Sequence, residues 1–383
     1  MKKIVLITEV MEKGVGKHII DLFSFFSEDS ESEILVLYGA ERVDSQFQKV
    51  IDDHKDKFIK INYLKRSIGL GDIKSIFEIA KILKEVKPDI VHCHSSKAGL
   101  AGRIAAKLEK VKNIYYSPHA YFFLKYKNKS LKRFIFKIAE KILSKRCTTC
   151  TIATSKGERE AFINSGIDKN EKCILIEHGI QVPKIEYKQI QEYKEKFNIH
   201  ENQVVIGAMA RLEQQKDPIT TITVMQNIVK QNENTVCILF GNGSMYETIL
   251  EKYNHIQDSC KDRIIIAGET KEPELSIAMM DIYLTTSLYE GLPYTLLTAL
   301  GYGKPILATN VEGNKDCVID SVNGFLFEVG DVTNAVKCYE KMTEQKELLV
   351  KMGKESKNIY QQRFSMEQMK HTYKKLYMEE TNE

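Results

Sequence analysis

Short β-branched and aliphatic runs alternate along this chain with longer stretches in which apolar residues recur every three or four positions. In the first half the runs are KIVLIT, EILVLY, DIVHCH, NIYYS, CTIATS and KCILI, and in the second VVIGAM, VCILFG, RIIIAG, DIYLTT, PILAT and GFLFEV. Between them lie amphipathic segments such as IKSIFEIAKILKEV, whose period is that of a helix. Such alternation predicts parallel sheets flanked by helices, an α/β fold, and two successive sets predict two Rossmann-like domains. We expect the first domain over 1–182 and a polar linker over 183–202. The second should span 203–360, with a closing helix over 361–383 that packs back on the first. Ligands of such sheets bind beyond the carboxyl ends of the strands, so the chemistry should lie in the loops that follow them.

Length and composition agree with this picture. At 383 residues the chain exceeds one ordinary core. Its 43% hydrophobic and 28% charged residues are those of a soluble globular protein. No apolar run approaches the ~20 residues of a membrane span, and the opening MKKIVLITEVMEKG has acids too early for a secretion signal. A cytoplasmic protein is expected. The eight cysteines, several inside apolar runs (Cys93, Cys173, Cys237), read as small core residues of a reducing compartment. Cys147 and Cys150 form a C-x-x-C with no second pair at zinc-finger spacing, so no metal is expected.

Charge changes the picture in one place. Residues 1–180 carry 33 Lys and Arg against 23 Asp and Glu, and residues 181–383 carry 23 against 29, giving +10 and −6. The excess concentrates between Lys97 and Arg146. There YFFLKYKNKSLKRFIFKIAEKILSKR adds Leu131, Phe134, Ile135, Ile138, Ile142 and Leu143 at helical spacing. One reading is a basic solvated face on a helix packed into its own domain; the other adds a contact with an anionic membrane surface or an anionic ligand, and both can hold at once.

Two nucleotide motifs are excluded near the N-terminus. A P-loop ending at Gly16-Lys17 would need a glycine at Met11 and a hydroxyl at His18, and a dinucleotide fingerprint would need a third glycine at Ile19. What remains is a turn with Gly14 and Gly16 opening a helix, whose backbone N–H groups can hold a phosphate.

Four further stretches converge: DIVHCHSSKAGLAGRIAA, SPHAYFF, GAMARLEQQKDP and TSLYEGLPYTLLTALGYGKP. In this order and spacing they resemble the family 4 glycosyltransferases, retaining enzymes of the two-domain GT-B fold. The resemblance implies a nucleotide-sugar donor held mainly by the second domain, a saccharide acceptor held mainly by the first, and a cleft between them. Arg211 and Lys216 match the basic pair that holds the donor diphosphate, where two cations stabilise the leaving charge without a metal. Glu290 matches the glutamate that grips a donor sugar hydroxyl, and the Gly291, Leu292 and Pro293 backbone that follows it would face the phosphate. His119 matches the histidine beside the reaction centre, which with Glu290 makes the candidate catalytic pair. Gly241, Gly243, Gly268, Glu269 and Thr270 match positions bordering the nucleotide. Lys97 and the glycines of SSKAGLAGR are positioning residues.

The chain departs from the pattern at Lys13-Gly14, where relatives carry two glycines, and at His178-Gly179, where an Asn-Gly turn is common. It departs most at Thr298, which replaces a second glutamate that holds the ribose. One neutral bond in place of two charge-assisted ones would lower donor affinity by roughly 1 to 3 kcal/mol. The resemblance implies a UDP-sugar donor, front-face transfer with no side-chain base, and no cofactor or metal. The basic, aromatic segment points to a lipid-linked acceptor in surface polysaccharide or capsule assembly, with the protein peripheral to the inner membrane face. The alternatives are a sugar-nucleotide epimerase or phosphorylase of the same fold, or a nucleotide-sugar-binding protein without turnover. Nucleic-acid binding is not expected, because the second half is acidic and no stacking motif is visible.

Overall fold

The computed structural model describes residues 1–39, 41–65, 69, 71–126 and 130–378. Lys127, Asn128 and Lys129 of the basic segment and the last five residues of the closing 361–383 segment lie outside them. The chain forms two compact units, Met1–His178 with the residues from Met369 onward, and Gly179–Gln368.

The first unit is built on a seven-stranded sheet of β1 (Lys2–Thr8), β2 (Ser32–Gly39), β3 (Phe58–Ile61), β4 (Ile90–His94), β5 (Asn113–Ser117), β6 (Cys150–Ala153) and β7 (Cys173–Leu175). Their order is β3-β2-β1-β4-β5-β6-β7, and every pairing is parallel. The edge strand β3, sequence FIKI, is absent from the sequence reading. It is four residues long and lies among charged residues, so it carries too little apolar signal. The second unit has β8 (Val204–Met209), β9 (Thr235–Phe240), β10 (Ile264–Gly268), β11 (Ile282–Thr285), β12 (Ile306–Thr309) and β13 (Gly324–Phe327), ordered β10-β9-β8-β11-β12-β13 and again parallel. In each sheet the strand order reverses once, between β1 and β4 and between β8 and β11. Loops leaving neighbouring strands there part to opposite faces and open a crevice at the carboxyl edge.

Each unit has its own core. Val5, Ile7, Val91, Ala101, Ala105 and Tyr116 lie at the centre of the first, and Ile206, Leu239, Ile282 and Leu307 at the centre of the second. The 183–202 stretch, polar by sequence, folds as the helix Tyr187–Glu195 of the second unit, with a capping box between Glu186 and Gln189. It buries Tyr193, whose hydroxyl lies 2.8 Å from Ser276 Oγ.

The basic segment forms the helix Leu131–Cys147, and its packing is inside out. Polar groups anchor it: Glu140 accepts from Arg103 Nη1 at 2.8 Å and Nη2 at 3.0 Å, and Arg103 is fully buried over the Tyr116 ring. Phe136 and Leu143 complete the contact with the core. Leu131, Phe134, Ile135, Ile138 and Ile142 face outward, at 71, 60, 53, 38 and 52% exposure. Of the six apolar positions that the helical spacing marks, only Leu143 is buried; the helix packs on its own domain through Glu140, Phe136 and Leu143, and the other five lie exposed beside its basic residues. No helix of the described residues is long and apolar enough to cross a membrane.

Candidate active site

In the second unit the crevice between β8 and β11 brings together two of the residues marked in the sequence. The loop after β8 ends in a short turn, Gln214–Lys216, from which the helix Pro218–Gln231 starts under an Asp217 cap. The loop after β11 is stitched to it. Leu288 N–H donates to Gln215 O at 2.9 Å, Gln215 Nε2 donates to Tyr289 O at 3.0 Å, and Thr286 Oγ1 lies 3.1 Å from Lys216 O. These bonds set Lys216 Nζ against Glu290 Oε1, which also accepts from Ser287 Oγ at 2.6 Å. Both bonds fall on Oε1; among the described residues Oε2 has no protein partner. The Glu290 side chain is 6% exposed and the Lys216 side chain 18%, so this is a largely buried ion pair at the floor of the crevice.

The other marked residues of this unit differ in how far their groups are already engaged. Arg211 is exposed on the same loop, close to Glu213. Gly241 has φ +139°, and a Cβ there would lie 1.8 Å from Ala210 O; Gly243 is pressed against Leu212 O in the same way. These two glycines let the loop after β9 lie directly on the loop that carries Arg211. Gly241 N–H donates to Gly268 O at 2.7 Å, which ties in the third loop, and Glu269 beyond it is exposed. The Thr270 hydroxyl is engaged inside the unit, 3.2 Å from Tyr193 Oη and 3.0 Å from Ser276 Oγ. Gly291 is exposed with open space beside it, while its carbonyl would lie 2.0 Å from a Cβ on Gly313. Leu292 is half-buried and Pro293 begins the helix Tyr294–Gly301. Thr298 donates to Tyr294 O one turn back, at 3.0 Å.

In the first unit the crevice between β1 and β4 holds a cluster that the sequence did not announce. Gly14 and Gly16 begin the helix Lys13–Glu28, whose N-cap Glu12 makes no capping bond because Arg42 engages its carboxylate at 2.8 Å. A Cβ on Gly16 would meet Met11 and the Phe47 ring, so this glycine has a packing role besides any phosphate contact. Gly99 and Gly102 of SSKAGLAGR pack on Tyr116 and Cys93, and Lys97 pairs with Asp72.

His119 follows β5 in the left-handed region, φ +52°, with Ala120 at φ +122°. Its Nε2 lies 3.1 Å from His94 Nδ1 at the end of β4. His18 packs edge-on to both rings, and its Nδ1 lies 3.1 Å from His178 Nδ1. Below them Ser117 Oγ lies 3.1 Å from Ile152 O and 2.9 Å from His92 Nε2, and His92 Nδ1 lies 2.6 Å from Tyr377 Oη, so both nitrogens of this ring are engaged. Burial holds all five imidazoles neutral: His92 is pushed down to about 3, His178 to about 4, and His18, His94 and His119 well below the usual range, with the neighbouring imidazoles adding to the effect on these last three. The strained His119–Ala120 turn is held by Glu158, which accepts from Ala120 N–H at 2.9 Å and Thr154 N–H at 2.7 Å. Burial raises the Glu158 carboxyl and these bonds partly offset the rise.

Comparison with known proteins decides what these crevices belong to. Residues 13–182 match the model of Glycosyltransferase Family 4, and residues 189–359 that of Glycosyl transferases group 1. The chain is 30% identical over 335 residues to the Escherichia coli UDP-Gal:alpha-D-GlcNAc-diphosphoundecaprenol alpha-1,3-galactosyltransferase, covering 86% of this chain and 85% of the relative. It belongs to the family 4 glycosyltransferases. This glycosyltransferase is also 23% identical over 323 residues to the capsular polysaccharide biosynthesis glycosyltransferase CapM of Staphylococcus aureus, covering 83 and 84% of the two chains. Among solved structures, Anabaena HepE in complex with UDP matches with a TM-score of 0.79 at 19% identity over 99% of this chain and 100% of that one, which shows the shared GT-B fold. The enzyme is thus a glycosyltransferase of the capsule and exopolysaccharide type.

Sequence reasoning missed Ser287, Glu158, His18 and His94. Ser287 sits inside the quoted motif, and a buried hydroxyl three residues before Glu290 was a usable signal. The remaining three reach the site only through long-range packing.

Proposed function

We propose that the chain transfers a hexosyl or N-acetylhexosaminyl group from a UDP-sugar, with retention, to a saccharide carried on a lipid diphosphate at an anionic membrane face. The observation that carries this is the Lys216–Glu290 pair at the strand reversal of the second unit, with Oε2 of the glutamate unpartnered. Lys216 and Arg211 supply positive charge for the leaving diphosphate, so no metal is required for that task. Glu290 Oε2 accepts a donor sugar hydroxyl while Ser287 and Lys216 hold Oε1. The backbone N–H groups of Gly291 and Leu292 would meet the phosphate; Pro293 has none to offer. The acceptor oxygen attacks the anomeric carbon on the face from which the diphosphate departs; that carbon–oxygen bond breaks, and the departing phosphate takes the acceptor proton.

The E. coli relative's name includes both UDP-Gal and a diphosphoundecaprenol acceptor, which supports this donor and acceptor class. The outward apolar stripe of the Leu131–Cys147 helix, set among Lys132, Arg133, Lys137, Lys141 and Lys145, supports the membrane face. The test is product analysis of purified protein with UDP-Gal, UDP-Glc, UDP-GlcNAc and GDP-Man against a synthetic lipid-diphosphate GlcNAc. A glycosidic product from a UDP-sugar, with the donor's anomeric configuration by NMR, is expected. Conversion of the sugar nucleotide without acceptor would replace this reading by an epimerase, and UDP binding without any product by a binding protein.

A further inference from the structure

We propose that His18, His94 and His119 form a binding site for one divalent transition ion of the zinc class. One ligating atom from each lies within 4.8 Å of the others. Their ring centroids form a nearly equilateral triangle, with sides of 5.6, 5.4 and 5.3 Å. Around tetrahedral zinc, with metal–nitrogen bonds of about 2.0–2.1 Å, three imidazole centroids stand about 5.2 Å apart and their nitrogens about 3.3 Å apart. The rings therefore already occupy the right places. His94 Nδ1 and His119 Nε2, at 3.1 Å, are close to the spacing of two ligands of one ion. His94 is fully buried and its Nε2 has no hydrogen-bond partner, so this nitrogen too is without a competing bond and can turn to an ion.

The surroundings suit the same ion. His18 has two outer partners, Tyr373 Oη at 3.2 Å from Nε2 and His178 Nδ1 at 3.1 Å from Nδ1. Turning one nitrogen to a metal leaves the other oriented by its partner, as is usual for ligating histidines. The imidazoles of His92 and His178 and the phenol of Tyr373 are the further titratable groups against the three rings. An all-nitrogen ligand set favours Zn²⁺, Co²⁺ or Ni²⁺ over Mg²⁺ and Ca²⁺, which demand oxygen. His119 is the partly exposed member and gives the ion its way in.

Binding rests on the histidines alone; its consequence rests on the transfer reading above. We assign the donor-sugar contact of His119 to Nε2, the nitrogen that faces His94; a metal on that atom displaces the sugar, so the ion acts as an inhibitor. The experiment titrates untagged, chelator-treated protein with Co²⁺ and follows the visible bands of tetrahedral cobalt, with Zn²⁺ as competitor. One equivalent per chain is expected, weakened at least about tenfold in His94→Ala and unchanged in His255→Ala, an exposed histidine elsewhere. Where His94→Ala does not give a cooperative thermal transition, His18→Gln makes the same comparison. A six-coordinate spectrum, or binding that neither cluster variant weakens, overturns the site. Zinc that binds in this way yet leaves transfer unaffected supports the site and overturns the role given to His119 in the reaction.

Discussion

Glu290 and Lys216 satisfy each other before any donor arrives, and this governs how each can be tested. With both side chains largely buried, Lys216→Ala leaves a carboxylate with Ser287 as its remaining partner. A loss of stability of about 3 kcal/mol is expected, read as a lowered denaturation midpoint. Glu290→Gln is the cleaner probe, because its amide oxygen still accepts from Ser287 and Lys216. It should lower the midpoint less than Lys216→Ala does and lower kcat by about 100-fold; near-normal turnover would remove Glu290 from the site. Glu158→Ala frees the Ala120 amide and relaxes the strained turn that presents His119. We expect kcat to fall about tenfold with KM for the donor little changed, and an equal rise in KM would mean that Glu158 acts on binding instead. At Thr298 the hydroxyl is occupied by its own helix, at Tyr294 O. Thr298→Glu should tighten UDP binding by about 1 to 3 kcal/mol by calorimetry; unchanged affinity would show that this enzyme holds its nucleotide without that position.

At the scale of the element, the Leu131–Cys147 helix reverses the usual rule for a surface helix. Its charged Glu140 is the anchor and its isoleucines are the exposed face, so burial on folding cannot be why the apolar residues are there. On the membrane reading proposed above, that face would be buried in the lipid boundary, and flanking lysines and arginines near anionic headgroups would each add roughly 1 kcal/mol of electrostatic attraction. The double variant Phe134→Asp, Ile138→Asp should keep its thermal midpoint and lose flotation with anionic vesicles. Equal flotation of wild-type protein with neutral and anionic vesicles would refute the electrostatic part.

At the scale of the molecule, the histidine cluster makes the first unit sensitive to acid. The folded pKa values of His92 and His178, about 3 and about 4, lie below the ordinary 6.5, so the unfolded chain binds more protons between these values. Stability from their neutral burial is therefore complete above about pH 6.5 and is lost as the pH falls toward the folded values. The slope is about 1.4 kcal/mol per pH unit for each group. The first unit's denaturant midpoint should drop between pH 7.5 and 5, with a shallower fall in His92→Asn; equal midpoints at the two pH values would contradict the assignment.

The sequence by itself determined the two parallel sheets, because buried strands and amphipathic helices write their periods into consecutive residues. Through the resemblance to the family it also pointed to Lys216 and Glu290, which the fold brings together as an ion pair. It did not show β3, which is too short to stand out, and it left open which way the apolar stripe of the basic helix points. Only the tertiary structure decided that direction, through Arg103 and Glu140, which are 37 positions apart in the chain. It alone assembled the histidines, since His18 on the first helix, His94 at the end of β4, His119 after β5 and His178 after β7 meet only once the sheet is formed. Local pattern carries what neighbours in sequence do together; what residues from separate strands do together is settled by strand order.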